Sequence, residues 1–373
     1  MTKTCHALAA VPDKVYLLTG KTDPDEKRLL SYYGLPGSNN LTIVQLPILR
    51  MRGKVRFSWH GVFNFGCLWW LWRTGRRKKI DIIHLRSVKL ANFLLKFRWL
   101  LRAPMVLGIH QLPRLYTPGA ERTKDKRKQR FFSKVDGLVV TTEALKRGLN
   151  ELYTVAVPVT TAPPGCDMPA EAPAPLSRHS PPEIFYIGQL YPLQGVDLLI
   201  EAMRDIEYAR LNIVGGKEEE IYALKGLAER LEVGSRVLFH GFVEPGRVKE
   251  KMAGADVLVL PSRSQGKMPC VSHLKLFEYM AAGRPIVATN LPSISEFVLD
   301  GESAILVEPD SSVSLAQGIK KVLEDEALAR RLASNAFEAA AKFTWRNRAR
   351  ALVQFFHSIL EKRRRELNVR SDA

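Results

Sequence analysis

ADVLVLPSRSQGKMPCVSHLKLFEYMAAGRPIVATN, residues 255–290, is the stretch around which the rest of the chain is organised. It opens with an apolar run, 257–260, stopped by Pro261 and Ser262, which predicts a buried parallel strand. A polar loop follows. Leu274, Phe277, Met280 and Ala281 then recur at helical spacing, so Lys275 and Glu278 share another face, and Gly283 and Pro285 end the helix. Residues 286–288 make the next strand. A strand, loop, helix, strand unit sets its loop and helix start at the carboxyl edge of a sheet, where open α/β folds bind ligands.

LKLFEYMAAGRPIVAT, followed by Leu291, Pro292 and Glu296, resembles the retaining family 4 glycosyltransferases of GT-B fold. The resemblance continues through FYIGQLYPLQGVDLLIEA, LNIVGG, RVLFHGFVEP, ADVLVLPS, DGESAILVEPDSSVSLAQGI and FTWRNRARAL. Several elements in the right order are far more specific than one. The resemblance implies two Rossmann-like doubly wound α/β domains facing a cleft, with a sugar passing from a nucleotide-diphosphate donor to an acceptor.

Composition agrees with a chain of that size. A length of 373 residues with 46% hydrophobic content accommodates two domains, and 25% charged residues is ordinary for a soluble protein. The charge is lopsided. Residues 1–180 hold 30 Lys and Arg against 12 Asp and Glu, whereas residues 181–373 hold 26 against 26, so the net +18 belongs to the first half. That asymmetry points to an anionic partner, a membrane surface or a nucleic acid. Cys5, Cys67, Cys166 and Cys270 lie far apart, without zinc or redox spacing, and a reducing cytosol is the simplest setting. No secretory signal opens the chain, and the apolar segment 57–72, interrupted by His60 and Asn64, is too short to span a bilayer.

In chain order, 14–19, 41–46, 80–85, 105–109, 136–142 and 154–161 read as strands, with helices at 143–149 and from about 86 through Leu101. Residues 50–79 place aromatics and a tryptophan cluster between two basic runs, the composition of a segment lying in a membrane interface; a helix packed on its own domain is the alternative. The basic run 122–134 reads as a solvated helix face. PPGCD at 163–167 resembles the family's closing motif of the first domain. The domains are then 1–170, a proline-rich linker 171–182, and 183–344; the apolar spacing from Ser311 onward predicts helix to Arg370, with 345–373 either returning to the first domain, as final helices do in GT-B proteins, or closing the second domain as a plain C-terminal helix.

The resemblance also implies a site. His110, at a strand end, takes the position of a histidine that faces the donor sugar, while His84, which also ends a strand, is read as structural. Gly188 opens a glycine-rich turn whose amides approach phosphate oxygens, but the family's basic pair in this loop is replaced by Gln189 and Gln194. Of the family's two glutamates eight positions apart, Glu278 matches the one on the ribose, and Cys270 stands where the other would be. Lys275 and the amides of Val271, Ser272, His273 and Leu274 are expected at the diphosphate, Gly215 and Gly216 at a phosphate-side turn, and Gly241, Phe242 and Val243 at the base. No metal and no cofactor are expected, because the protein supplies the neutralising charge.

The partners implied are a nucleotide-sugar donor, a glycan or lipid-linked acceptor and an anionic membrane surface, for a cytoplasmic protein peripheral on the inner membrane face. Two other classes stay in view. One is a catalytically degenerate assembly partner at the membrane. The other is a nucleic-acid binder, which is not expected because the aromatics do not interleave with basic residues. Finally, residues 2–13 read as the end of a helix with no strand before them, although a family first domain opens with a central strand. The expectation is a first strand missing from the chain, or a naturally shortened domain, with backbone groups of two neighbours unpaired.

Overall fold

A computed structural model of the protein describes residues 1–11, 14–21, 26–48, 59–112, 126–171, 173–174, 176, 178–266 and 268–371. The second half is built on one parallel sheet. Its strands are β7 (Glu183–Ile187), β8 (Arg210–Val214), β9 (Val237–Gly241), β10 (Val257–Leu260), β11 (Ile286–Thr289) and β12 (Ile305–Val307), in the order β12-β11-β10-β7-β8-β9. Each reads as a short apolar run because helices cover both faces: α7 (Val196–Ala202), α8 (Glu218–Arg230), α9 (Pro245–Ala253), α10 (Leu274–Ala281), α11 (Pro292–Ser295), α12 (Ser312–Glu324) and α13 (Glu326–Ala340). The chain starts in the middle at β7 and runs outward first one way and then, from β10, the other. The switch point therefore lies between β7 and β10, and the connections that follow those two strands border it.

The first half has two sheets among the described residues. β1 (Val15–Gly20) pairs in parallel only with β2 (Leu41–Leu46). β3 (Ile83–Leu85), β4 (Met105–Ile109), β5 (Gly137–Val140) and β6 (Val159–Thr161) form a second parallel sheet in sequential order. β1 and β3 thus each have one sheet neighbour. The helices are α1 (Thr2–Ala9), α2 (Glu26–Tyr32), α3 (Trp59–Arg77), α4 (Val88–Lys96), α5 (Lys126–Phe132) and α6 (Glu143–Leu152), and α14 (Trp345–Ser371) closes the chain. α14 packs on α1 and over the four-stranded sheet: Ala349, Leu352 and Ile359 join Leu8, Val106, Val139 and Ala162 in one apolar cluster.

Three expectations are corrected. The helical run from Ser311 is three helices, because the Asp325 carboxylate caps α13 by accepting from the Leu328 amide (2.9 Å), and residues 341–344 form a break before α14. The strand expected at 154–161 is confined to β6, since Pro158 has no N–H to give a ladder. Leu274 is 41% exposed, so the apolar face of α10 is Leu276, Phe277, Tyr279, Met280 and Ala281. Residues 50–58 and 113–125, within the basic segments singled out above, lie outside the described residues.

Candidate active site

Beside the switch point the ends of β7, β8 and β9 are tied together. Past β7, the Gly188 amide donates to the Val214 carbonyl (2.8 Å); past β8, the Gly215 amide donates to the Gly241 carbonyl (2.6 Å) at the end of β9. Gly188 (φ +153°) and Gly215 (φ +111°) hold conformations that favour glycine. A side chain at Gly188 would also run into Lys275, whose Nζ lies 2.8 Å from the Cβ position.

Lys275 is partly buried at the first turn of α10. Its Nζ donates to the Tyr186 hydroxyl (2.7 Å) and to the Gln194 side-chain oxygen, and stands 4.3 Å from the centre of the Tyr186 ring. Gln194 is buried, so a neutral residue holds Lys275 in place. Gln189 contributes its carbonyl, which accepts from the Tyr186 hydroxyl (2.5 Å). Burial lowers the Lys275 pKa to about 7, against the opposing pull of Glu278. The Glu278 carboxyl is pushed up by burial, with Lys3, Asp167, Lys275 and Lys249 as its charged surroundings; Lys3 pairs with Asp167 at 2.5 Å. At the far end of this wall Phe242, next to Gly241 and Val243, is 69% exposed.

The loop leading into α10 behaves differently from the expectation. The Val271 amide is engaged by the Met268 carbonyl (3.3 Å), so the four amides of 271–274 are not all directed at a ligand. His273 is buried, its Nδ1 3.4 Å from Ser262 Oγ, while its Nε2 and the Ser272 hydroxyl are buried with no partner among the described residues. Burial, then Lys275, holds His273 at a pKa of about 3, neutral at physiological pH. Cys270 sits in the apolar cluster of the first half with Leu138, Val140 and Leu145, and its carbonyl accepts from Thr142 Oγ1 (2.9 Å). This residue fastens the loop to the opposite domain. Close by, the Glu296 carboxylate accepts from the Glu143 and Ala144 amides, both at 3.1 Å, at the start of α6.

The facing wall belongs to the first half. His84 lies on β3 and His110 follows β4; their ring Nε2 atoms converge on Gly108, at 3.3 Å (His84) and 3.4 Å (His110) from its Cβ position. Burial, followed by the Arg348 and Arg86 guanidinia, lowers His84 to about 4; burial, followed by the same two, lowers His110 to about 3. Arg348 arrives from α14 and donates to the Pro163 carbonyl (2.7 Å) and to the Ala162 carbonyl. Sequence spacing did not mark His84, Tyr186 or Arg348 as site residues. The available signal for Arg348 was a charge directly beside the apolar stripe of Ala349 and Leu352.

Away from the cleft, α3 buries Cys67, Leu68 and Leu71 and exposes Phe65 and Trp69, while Trp99 is 79% exposed. Arg73 and Arg76 stack on Trp69 and Trp72 (5.4 and 4.2 Å). Among the described residues no helix is long and apolar enough to cross a membrane, and no group of three or more His, Cys, Asp or Glu is placed to hold a metal ion.

Two family models tile the chain: Glycosyltransferase Family 4 over residues 1–168 and Glycosyl transferases group 1 over residues 167–339. The chain belongs to the GT-B glycosyltransferases of group 1/family 4. A D-inositol 3-phosphate glycosyltransferase of Xylanimonas cellulosilytica is 26% identical over 299 residues, 73% of this chain and 70% of its own length. A lipopolysaccharide 1,2-N-acetylglucosaminetransferase of Salmonella typhimurium is 30% identical over 178 residues, 44% of this chain and 45% of its own. Among solved structures, sucrose-phosphate synthase of Thermosynechococcus elongatus superposes with a TM-score of 0.79 at 22% identity, covering 96% of this chain and 92% of that one. Anabaena HepE in complex with UDP and glucose gives 0.73 at 18%, covering 95% of each. The glycosyltransferase thus has the GT-B fold, with its two α/β halves facing a cleft.

Proposed function

We propose that this glycosyltransferase moves a sugar, with retention of configuration, from a nucleotide-diphosphate donor to a glycan or lipid-linked acceptor at the cytoplasmic face of the inner membrane. The observation that carries the reading is Lys275: a cation held by Tyr186 and Gln194 at the first turn of α10, directly beside the Gly188 turn at the sheet's switch point. A diphosphate set there meets backbone amides, the positive end of a helix and an ammonium ion, which together stabilise charge on a departing phosphate. Glu278 is in position to accept from ribose hydroxyls. Opposite them, His110 is neutral at pH 7 and able to donate to or accept from a sugar hydroxyl. In front-face displacement the leaving diphosphate oxygen takes the acceptor proton, so the chain needs no nucleophile of its own and works by positioning. The UDP bound to Anabaena HepE and the phosphorylated or lipopolysaccharide acceptors in the relatives' names favour this class of donor and acceptor.

A membrane-bound acceptor is favoured by the exposed Phe65, Trp69 and Trp99 and by the basic end of α3, where Arg73 and Arg76 stack on Trp69 and Trp72 and Arg77, Lys78 and Lys79 follow. A second reading, a degenerate assembly partner, rests on Cys270, which is buried against the first half and offers no carboxylate to a sugar. Incubation of the chain with a panel of nucleotide sugars and membrane lipid extract separates the two. The proposal expects a glycosylated lipid or glycan whose anomeric configuration, read by NMR, equals the donor's. An inverted product would refute retention, and nucleotide binding without turnover of any donor would favour the degenerate reading.

A further inference from the structure

The carboxyl edge of the four-stranded sheet carries a set of donors of which the transfer described above uses only His110. The register pairs Leu85 with Leu107, Ile109 with Val140, and Val140 with Thr161. One residue further along each strand, Arg86 falls opposite Gly108, His110 opposite Thr141, and Thr141 opposite Ala162. Because side chains alternate between faces, His84, Arg86, His110, Thr141 and Ala162 share one face with Val106 and Val139. That is the face covered by α14: Val106, Val139 and Ala162 pack on Ala349 and Leu352, the His84 ring lies 5.5 Å from that of Phe356, and a Cβ on Gly137 would meet Phe355 at 2.9 Å.

This corner is positive, and its polar groups are incompletely paired. Thr141 is 2% exposed and its hydroxyl has no partner among the described residues. Arg348 is 8% exposed; one terminal nitrogen reaches the Ala162 and Pro163 carbonyls, and its Nε has no partner. One turn earlier on α14, Trp345 Nε1 is likewise buried and unpartnered. No carboxylate among the described residues forms an ion pair with Arg86 or Arg348. The buried Arg348 guanidinium, near the exposed Arg86 and the Met1 amino group and with no carboxylate paired to it among the described residues, is a costly arrangement unless an anion completes it.

We propose that Arg86, His110, Thr141 and Arg348 form a seat for an oxyanion, a phosphate or carboxylate carried by the acceptor, opposite the wall on which Lys275 meets the donor. Two guanidinia, a hydroxyl and an imidazole N–H match the several acceptor oxygens of such a group, and their fixed places on strand ends and α14 would orient the acceptor hydroxyl that receives the sugar. The assignment to the acceptor rests on the glycosyl-transfer reading; the oxyanion seat itself does not. The same chemistry could come from the donor's own diphosphate, and the two sources give different results in a competition.

The test is calorimetric titration of inorganic phosphate into the full chain at low ionic strength. One phosphate is expected per chain, weakened at least about tenfold by Arg86→Gln, the loss typical of a charge-assisted hydrogen bond, and about three- to tenfold by Thr141→Val. Arg331→Gln, an exposed charge on α13, is expected to bind as wild type. No binding to the wild type, or equal binding to Arg86→Gln, would overturn the seat. In a second arm, phosphate is titrated in the presence of UDP, GDP or ADP at saturation. Unchanged phosphate affinity beside a bound nucleotide supports the acceptor assignment, whereas displacement of phosphate by the nucleotide would overturn it and give the seat to the donor. A chain that takes phosphate through Arg86 but binds no nucleotide would refute the donor reading and leave the seat standing.

Discussion

The two walls of the cleft handle charge in opposite ways. The second-half wall offers one ammonium, Lys275, partly buried and with its pKa brought down to about 7 chiefly by burial. The first-half wall offers two guanidinia, of which the buried Arg348 is lowered only to about 10 and stays charged at physiological pH. A lysine poised near neutrality gains its full charge when an anion arrives, while an arginine is charged before and after. On the proposed reading, affinity at the Lys275 wall responds to pH, while the Arg348 wall stays positive throughout.

The strongest way to break this contrast is to remove the lysine. Lys275→Ala is expected to lower donor turnover by about 100- to 1,000-fold, the range for deleting one preorganised charge-stabilising donor, measured as initial rates at saturating donor. Activity within a few-fold of wild type would move the diphosphate elsewhere. Next in size is Glu278→Ala, which should weaken nucleotide binding by about 1.5 to 3 kcal/mol, as for hydrogen bonds to a charged group. An unchanged dissociation constant in calorimetry would remove Glu278 from the ribose.

The pH response sharpens the same comparison. Between about 7 and the ordinary lysine value of 10.5, the folded chain holds fewer protons at Lys275 than the unfolded chain does. Its contribution to stability is thus present above that window and lost as pH falls through 7. A bound diphosphate favours the protonated form, so donor binding takes up a proton, and affinity should fall by up to about tenfold per pH unit above 7. Lys275→Arg, charged throughout, should flatten the profile; a flat wild-type profile would contradict the assignment. The smallest effect concerns the surface of α3. Phe65→Ala with Trp69→Ala should reduce binding to anionic vesicles several-fold at low salt, and equal binding of the wild type to neutral and anionic vesicles would count against a membrane surface.

The wall proposed for the donor drew the fuller reading in the sequence because its parts are local. Strand, glycine turn and helix start lie within a few residues of each other, so 188–196 and 257–283 name their fold, and the proposed chemistry follows from it. What spacing missed there was a partner exchange: Gln194 reads as a lost charge, yet folding brings its side-chain oxygen onto Lys275, 81 residues away. The first-half wall was nearly silent for the same reason. Arg86, His110, Thr141 and Arg348 come from three strand ends and the last helix, and only sheet register with the return of α14 brings them to one face. His84 looked structural because its neighbours in space are far away in sequence. Cys270 looked like a gap in a donor motif, and the fold uses it as a domain contact.

The claim at the centre is that a nucleotide sugar binds the second-half wall through Lys275. Thermal unfolding of the intact chain with UDP-, GDP- and ADP-sugars tests it most directly, since a ligand at a hundredfold its dissociation constant adds about 2.7 kcal/mol of stability. The account predicts that one nucleotide class raises the wild-type midpoint by several degrees and that the shift is lost in Lys275→Ala. A Lys275→Ala chain stabilised as much as the wild type, or a wild type that none of these donors stabilises, would contradict it.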